Sequence, residues 1–209
     1  MGYHKPVPLE EQFETLAQCG ISLLPGANLD ETIRINGKEL WENNPYESLV
    51  YSLGSPMVSR YNGEEKLYTN SLFHFGFECI EESGDYAYIA HRMSILAGDT
   101  LPMEKIRDKV IFIFKFVFHV SWLSFQMDGK KYKWFNVGFH DWLDSRFLTR
   151  LAKLQDKRNR RNGSTEQKRF AILSKKSYSD CVIGCFTPSQ LSQIRERTRL
   201  KFEWLYNKK

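Results

Sequence analysis

The stretch from Ser121 to Val137, SWLSFQMDGKKYKWFNV, constrains this chain more than any other. Asp128-Gly129 is a favoured two-residue type I′ turn, because both central positions need φ > 0. With that pair at the tip, Phe125 faces Tyr132 and Leu123 faces Trp134. On the other side Gln126 meets Lys131 and Ser124 meets Lys133. Near the tip one face is apolar and the other polar, and a slip of one residue would scramble that match. The stretch therefore predicts a hairpin of fixed register that anchors an antiparallel sheet. It carries no chemistry of its own.

The remaining pattern is one of short helices and strands. Leu9, Phe13, Leu16 and Ala17 recur at helical spacing between Pro8 and Gly20. A second helix is signalled by Asn44, Pro45 and Glu47, carries Leu49, Val50 and Leu53, and stops at Gly54. Asn62-Gly63 predicts a turn between two short strands. Leu72 to Ile80 alternates around Phe73, Phe75, Phe77 and Cys79, as a half-buried strand does. A third helix follows Ser83-Gly84-Asp85 and runs to Gly98. A short helix is expected over Pro102 to Lys109, capped by Thr100. Another is expected around Phe147, Leu148, Leu151 and Leu154, with Asp141 and Asp144 at its start, where the dipole favours acid. Thr187-Pro188-Ser189-Gln190 is a capping box with proline in the first helical position. Strands are expected over Phe170 to Leu173, Cys181 to Phe186 and Leu200 to Leu205. The sum is a single α+β domain over 1–209, with an antiparallel-rich sheet and several short helices.

A chain of 209 residues buries roughly 70% of its unfolded surface and needs no metal or disulfide staple. Its hydrophobic fraction of 42% and charged fraction of 26% fit a soluble globular protein. Four scattered cysteines make no disulfide framework, so reduced thiols and a cytoplasmic location are expected. The opening MGYHKPVPLEEQF has no apolar signal-peptide core, and Pro6 breaks the myristoylation pattern. Val110 to Met127 is the one candidate for a membrane span, but Lys115 lies inside it. A single strand of that length would reach about 60 Å, so the run reads as strand, bend and strand.

Little in the chain points to catalysis. Cys181 and Cys185 invite a zinc reading, yet four residues along a strand separate them by about 13 Å, whereas zinc holds each thiolate at about 2.3 Å. They are read as core cysteines, with no metal and no disulfide. His140, Asp141 and Asp144 suggest an acid–base cluster, but capping of the next helix accounts for both carboxylates. Cys79 and His91 make a nucleophile–base pair only if strand and helix bring them together. No dinucleotide, Walker, nucleophile-elbow or zincin motif is present. No catalytic residue and no cofactor is assigned.

Two surfaces are candidates for binding. The stretch 157–169, KRNRRNGSTEQKR, has no large apolar residue and is expected to be a flexible basic loop. Its Lys157, Arg158, Arg160, Arg161, Lys168 and Arg169 would pair phosphates if nucleic acid were the partner. No aromatic residue interleaves them, so base stacking is not indicated, and a net charge of +5 is mild. The other candidate is aromatic. Trp41, Tyr46 and Tyr86 stand near turns and helix ends, with Glu81, Glu82 and Asp85 close to the last, and interfaces draw their anchors from such aromatics.

A cytoplasmic α+β chain rich in aromatics and without catalytic motifs resembles the immunity proteins of bacterial polymorphic-toxin and contact-dependent inhibition systems. That resemblance implies a single-domain protein that binds and blocks one cognate toxin, and it carries over no site residues. A charge of +5 departs from the acidic character of immunity proteins against basic nucleases. The implied toxin is then neutral or acidic, or meets a local acidic patch such as Glu78, Glu81, Glu82 and Asp85. A nucleic-acid-associated protein using 157–169 is the alternative, and an enzyme of unrecognised type is a third class.

Overall fold

Alternating apolar strands and amphipathic helices assemble here into stacked layers. The computed structural model describes residues 6–29, 33, 37–58, 65–114, 117–163, 167–174 and 179–207. In chain order, α1 (Leu9–Gln18), α2 (Lys38–Asn43) and α3 (Glu47–Gly54) precede β1 (Met57–Val58), β2 (Glu65–Lys66) and β3 (Leu72–Gly76). Next come α4 (Asp85–Ala97), β4 (Glu104–Ile113), β5 (Phe118–Met127), β6 (Lys130–Phe139) and α5 (Phe147–Asn162). The chain closes with β7 (Arg169–Ser174), β8 (Asp180–Phe186), α6 (Pro188–Thr198) and β9 (Glu203–Trp204). The fold is α+β, as expected.

β3, β8, β7 and β9 form one antiparallel sheet in that order, and β4, β5 and β6 form another. The hairpin has its predicted register, with Phe125 opposite Tyr132 and Leu123 opposite Trp134. Asp128 and Gly129 make the turn with φ of 50° and 71°. β1 and β2 pair as a short ribbon, and their Asn62-Gly63 turn lies outside the described residues.

Strand alternation sorts the apolar residues into two cores. Leu72, Ala171, Val182 and Phe186 face one way and pack with α1, α3 and α6 through Leu16, Leu49, Leu53, Leu191 and Ile194. Phe73, Phe170, Cys181 and Ile183 face the other way, toward Met93, Phe147 and Leu151 of α4 and α5. The same two helices meet the inner face of the second sheet at Val110, Leu123, Phe125 and Met127. The order is therefore helices, four-stranded sheet, α4 with α5, then three-stranded sheet. Among the described residues, nothing covers the outer face of that last sheet.

Several segments differ from expectation: the Leu72 to Ile80 strand ends at Gly76, and Lys38–Asn43 is an additional helix. Pro102 to Lys109 is not a helix; it leads into β4. Ile106, Val110 and Phe112 recur at period two and turn into the core, and pairing with β5 satisfies the backbone. A register shift between Glu104 and Arg107, with Lys105 at φ 51°, replaces the expected helical turn. The expected basic loop is helix as far as Asn162, ended by Gly163 at φ 73°. No breaker interrupts Lys157 to Asn162, and Gln155 and Asn159 are buried on the helix's inner side. Basic residues also suit a helix C-terminus, where the dipole is negative. Finally, the expected Leu200 to Leu205 strand shrinks to β9.

Candidate functional site

The aromatic residues nominated from sequence lie in the core rather than on the surface. Trp41, Tyr46 and Tyr86 are all buried. Trp41 and Tyr46 close over Gln12, which donates to the Trp41 carbonyl at 3.0 Å and accepts from the Tyr46 amide at 2.7 Å. Tyr86 packs edge-on against Phe147. Glu81 and Glu82 are exposed, and their amides donate to the Asp85 carboxylate at 2.7 and 2.8 Å. Asp85 thus stiffens the entry to α4, and with Glu78, Glu81 and Glu82 it lines a cleft of ≈ 360 Å³.

The suspected acid–base groups are also committed to structure. His119 donates from Nδ1 to the His140 carbonyl at 2.8 Å and accepts the Tyr86 hydroxyl at 3.0 Å. That hydroxyl in turn accepts the Asp144 amide at 3.1 Å. Burial raises the Asp144 carboxyl, but the Arg146 fork and the amides of Arg146 and Val137 outweigh it and hold the group below the usual range. Cys79 is pushed up to about 12 by burial and by the Asp85, Asp141 and Glu81 carboxylates, so it is a poor nucleophile at neutral pH. His91 is exposed on α4, and no hydrogen bond joins it to Cys79 among the described residues. Cys181 and Cys185 are free thiols on one face of β8. Cys185 accepts the Gln155 side-chain amide at 3.2 Å, and burial raises its thiol to about 11.

The surface feature that stands out is the bare face of the three-stranded sheet. Its rows follow from the register. Arg107, Ser124 and Lys133 form one row and Lys109, Trp122 and Phe135 the next; Ile111, Val120 and Val137 follow, then Ile113, Phe118 and Phe139. The half near the hairpin tip is polar and basic. The other half is apolar, with Trp122 48%, Phe135 51% and Phe139 59% exposed. Ile111, Val137, Phe114 and Val117 are exposed beside them. Trp122 and Phe135 touch, with ring centroids 5.5 Å apart. An antiparallel sheet with one solvated face normally puts polar residues outward, and monomeric proteins rarely expose contiguous apolar patches beyond a few hundred Å². Sequence alternation reveals two faces here, but on β5 the apolar Phe118, Val120 and Trp122 point outward while the polar His119 and Ser121 are buried, so it could not say which is inside.

The basic residues nominated from sequence divide. Lys157, Arg158 and Arg161 meet Lys130 and Lys131 of the hairpin in a cleft of ≈ 260 Å³. Arg158 grips Asp128 with two hydrogen bonds of 3.0 and 3.2 Å and also donates to the Asp99 carbonyl. Its fork, with the charges of Arg161 and Lys130, holds the Asp128 carboxyl below its ordinary value. Arg160, Lys168 and Arg169 do not line this cleft. Arg160 pairs with Asp156 at 3.0 Å, and Arg169 stacks on Trp204 and donates to the Tyr206 carbonyl at 2.6 Å.

Among the described residues no group of side chains is suited to hold a metal ion, and no helix is long and apolar enough to cross a membrane. No family model, curated protein or solved structure matches the chain.

Proposed function

We propose that this protein is a cytoplasmic protein-binding module that inhibits its partner by covering it, in the manner of the bacterial immunity proteins it resembles. The outer face of β4, β5 and β6 is the docking surface. The observation that carries this reading is the apolar half of that face, left bare among the described residues, whereas both faces of the four-stranded sheet and the inner face of this one are packed against helices. Trp122, Phe135 and Phe139 are the anchors in place of the buried Trp41, Tyr46 and Tyr86. A sheet held from behind by α4 and α5 loses little freedom on docking, which favours affinity. Arg107, Lys109 and Lys133 border the apolar rows, so the partner presents an apolar centre with acidic residues on one side. A neutral or acidic toxin domain has that chemistry.

The test uses the product of the adjacent gene. Expressed alone it should arrest growth, and coexpression of this chain should restore growth and give a 1:1 complex by light scattering. Replacing Ile111 and Phe139 by Asp should abolish both the rescue and the complex. Rescue that survives those changes overturns the face as the docking surface. A stable dimer of the wild-type chain, dissociated by the same changes, would show that a second copy covers the face instead.

A further inference from the structure

We propose that the basic cleft between the hairpin tip and α5 binds the phosphodiester backbone of a single-stranded nucleic acid, with a base stacked on Tyr132 of the hairpin. This is a second function, separate from docking on the apolar half. Lys130 and Lys131 come from one element, and Lys157, Arg158 and Arg161 from another. They converge on a concave space, which is unlike cations scattered over a solvated face. Among the described residues, Asp128 is the only carboxylate lining the cleft, and it is already engaged by Arg158. Lys130, Lys131, Lys157 and Arg161 form no ion pair with any described residue. Among the described residues lining the cleft, Asp128 alone offsets their mutual repulsion, so an excess of positive charge remains that a polyanion relieves.

The cleft does not end at the tip. Lys131 and Tyr132 also line a second groove of ≈ 320 Å³, which adds Lys105, Arg107 and Lys133. Tyr132 stands between the two, its half-exposed ring stacked on Phe125 at 4.9 Å and 5°. Tyr132 turns with Phe125 toward the inner side of the sheet while Lys131 and Lys133 turn outward, so its ring lies between the two sets of cations at the hairpin tip. The residues 157–169 alone do not display this, because the aromatic ring comes from the hairpin. Such an arrangement suits a single strand, whose splayed bases present π-faces for stacking. A duplex hides those faces. An acidic protein would satisfy the cations but leave the Tyr132 ring without a base partner.

Anisotropy titrations with thymidine and uridine oligonucleotides of roughly 16 nucleotides test this, alongside a duplex of equal length and polyglutamate. Each is run at about 50 and 200 mM salt. Both single strands should bind with strong salt dependence, or one should if the site distinguishes DNA from RNA; the duplex and polyglutamate should bind more weakly. Changing Lys131, Lys157 and Arg161 together to Ala should weaken binding at least about tenfold and reduce the salt slope by about two units. Tyr132→Ala should weaken it about fivefold or more with the slope unchanged. Arg160→Ala and Phe139→Asp should have no effect, the latter keeping this result separate from the fate of the docking reading. Circular dichroism confirms that each variant is folded. The proposal is overturned by absence of salt-dependent binding to either strand, by polyglutamate binding as tightly as the oligonucleotides, or by Arg160→Ala costing as much as the triple change.

Discussion

Two glycines of the hairpin show how differently one residue type can be required. Gly129 sits at φ 71° with no neighbour within 4 Å of an added Cβ. Its need is purely torsional. Gly129→Val should destabilise by about 1–2 kcal/mol or more, the strain of a left-handed conformation, compounded by β-branching. Gly138 lies on β6, where an added Cβ would meet the His119 ring at 2.1 Å and the Trp142 carbonyl at 2.4 Å. Its need is space, and Gly138→Ala should cost about 1–3 kcal/mol by overpacking. Denaturant unfolding of both variants checks this, and a neutral Gly138→Ala would contradict the close approach. Asp144 adds a pH dependence. Its carboxyl is held below the usual value in the folded state, so its stabilising contribution is complete above the unfolded value of about 3.9 and disappears as pH falls through the folded one. Unfolding measured from pH 7 down to acid should therefore show a steeper loss for the wild type than for Asp144→Asn. Equal slopes would mean the Arg146 fork adds nothing.

β5 and β6 were legible because a local turn and a period-two pattern gave the same register. β4 was not, because Thr100 and Pro102 imitate a helix start and only pairing with β5 decides between the alternatives. The C-terminal half of α5 was illegible for another reason. Helices are recognised by apolar stripes, and here polar residues point inward. Gln155 accepts the Phe170 amide at 3.1 Å and donates to Thr100 at 2.7 Å, and Asn159 donates to the Lys168 carbonyl at 2.9 Å. The helix is thus fastened to β7 by hydrogen bonds that no hydropathy pattern displays. Gln155→Ala should cost about 1–3 kcal/mol, because it strands the buried Phe170 amide. Arg160→Ala, one turn further on and exposed, should change stability by no more than about 0.5 kcal/mol. If thermal unfolding found the two equal, the inward side of α5 would be misassigned.

The stacking of layers explains which aromatics are available to a partner. Trp41, Tyr46 and Tyr86 sit between layers, so proximity to turns in sequence was no guide to exposure. Trp122, Phe135 and Phe139 lie on the last sheet face, which no helix among the described residues covers, and their composition made them look like core. Adjacent residues of β5 therefore have opposite duties. Leu123 is fully buried against α4 and α5, and Leu123→Ala should cost about 2–5 kcal/mol. Trp122 points the other way and packs against Phe135 of its own sheet face. Replacing Trp122 by Ser and Phe135 by Thr forfeits a cross-strand pair of about 1 kcal/mol at most, so urea unfolding should shift little. The same double change should remove the binding of an apolar dye such as ANS, which an exposed aromatic face supports and a polar one does not. A loss of stability comparable to Leu123→Ala would mean that these rings are needed for folding, and the face would then lose its claim as a binding surface. A stable variant that no longer takes up the dye would mean that the aromatics are kept on the surface at no gain to the fold, which is what a docking surface requires.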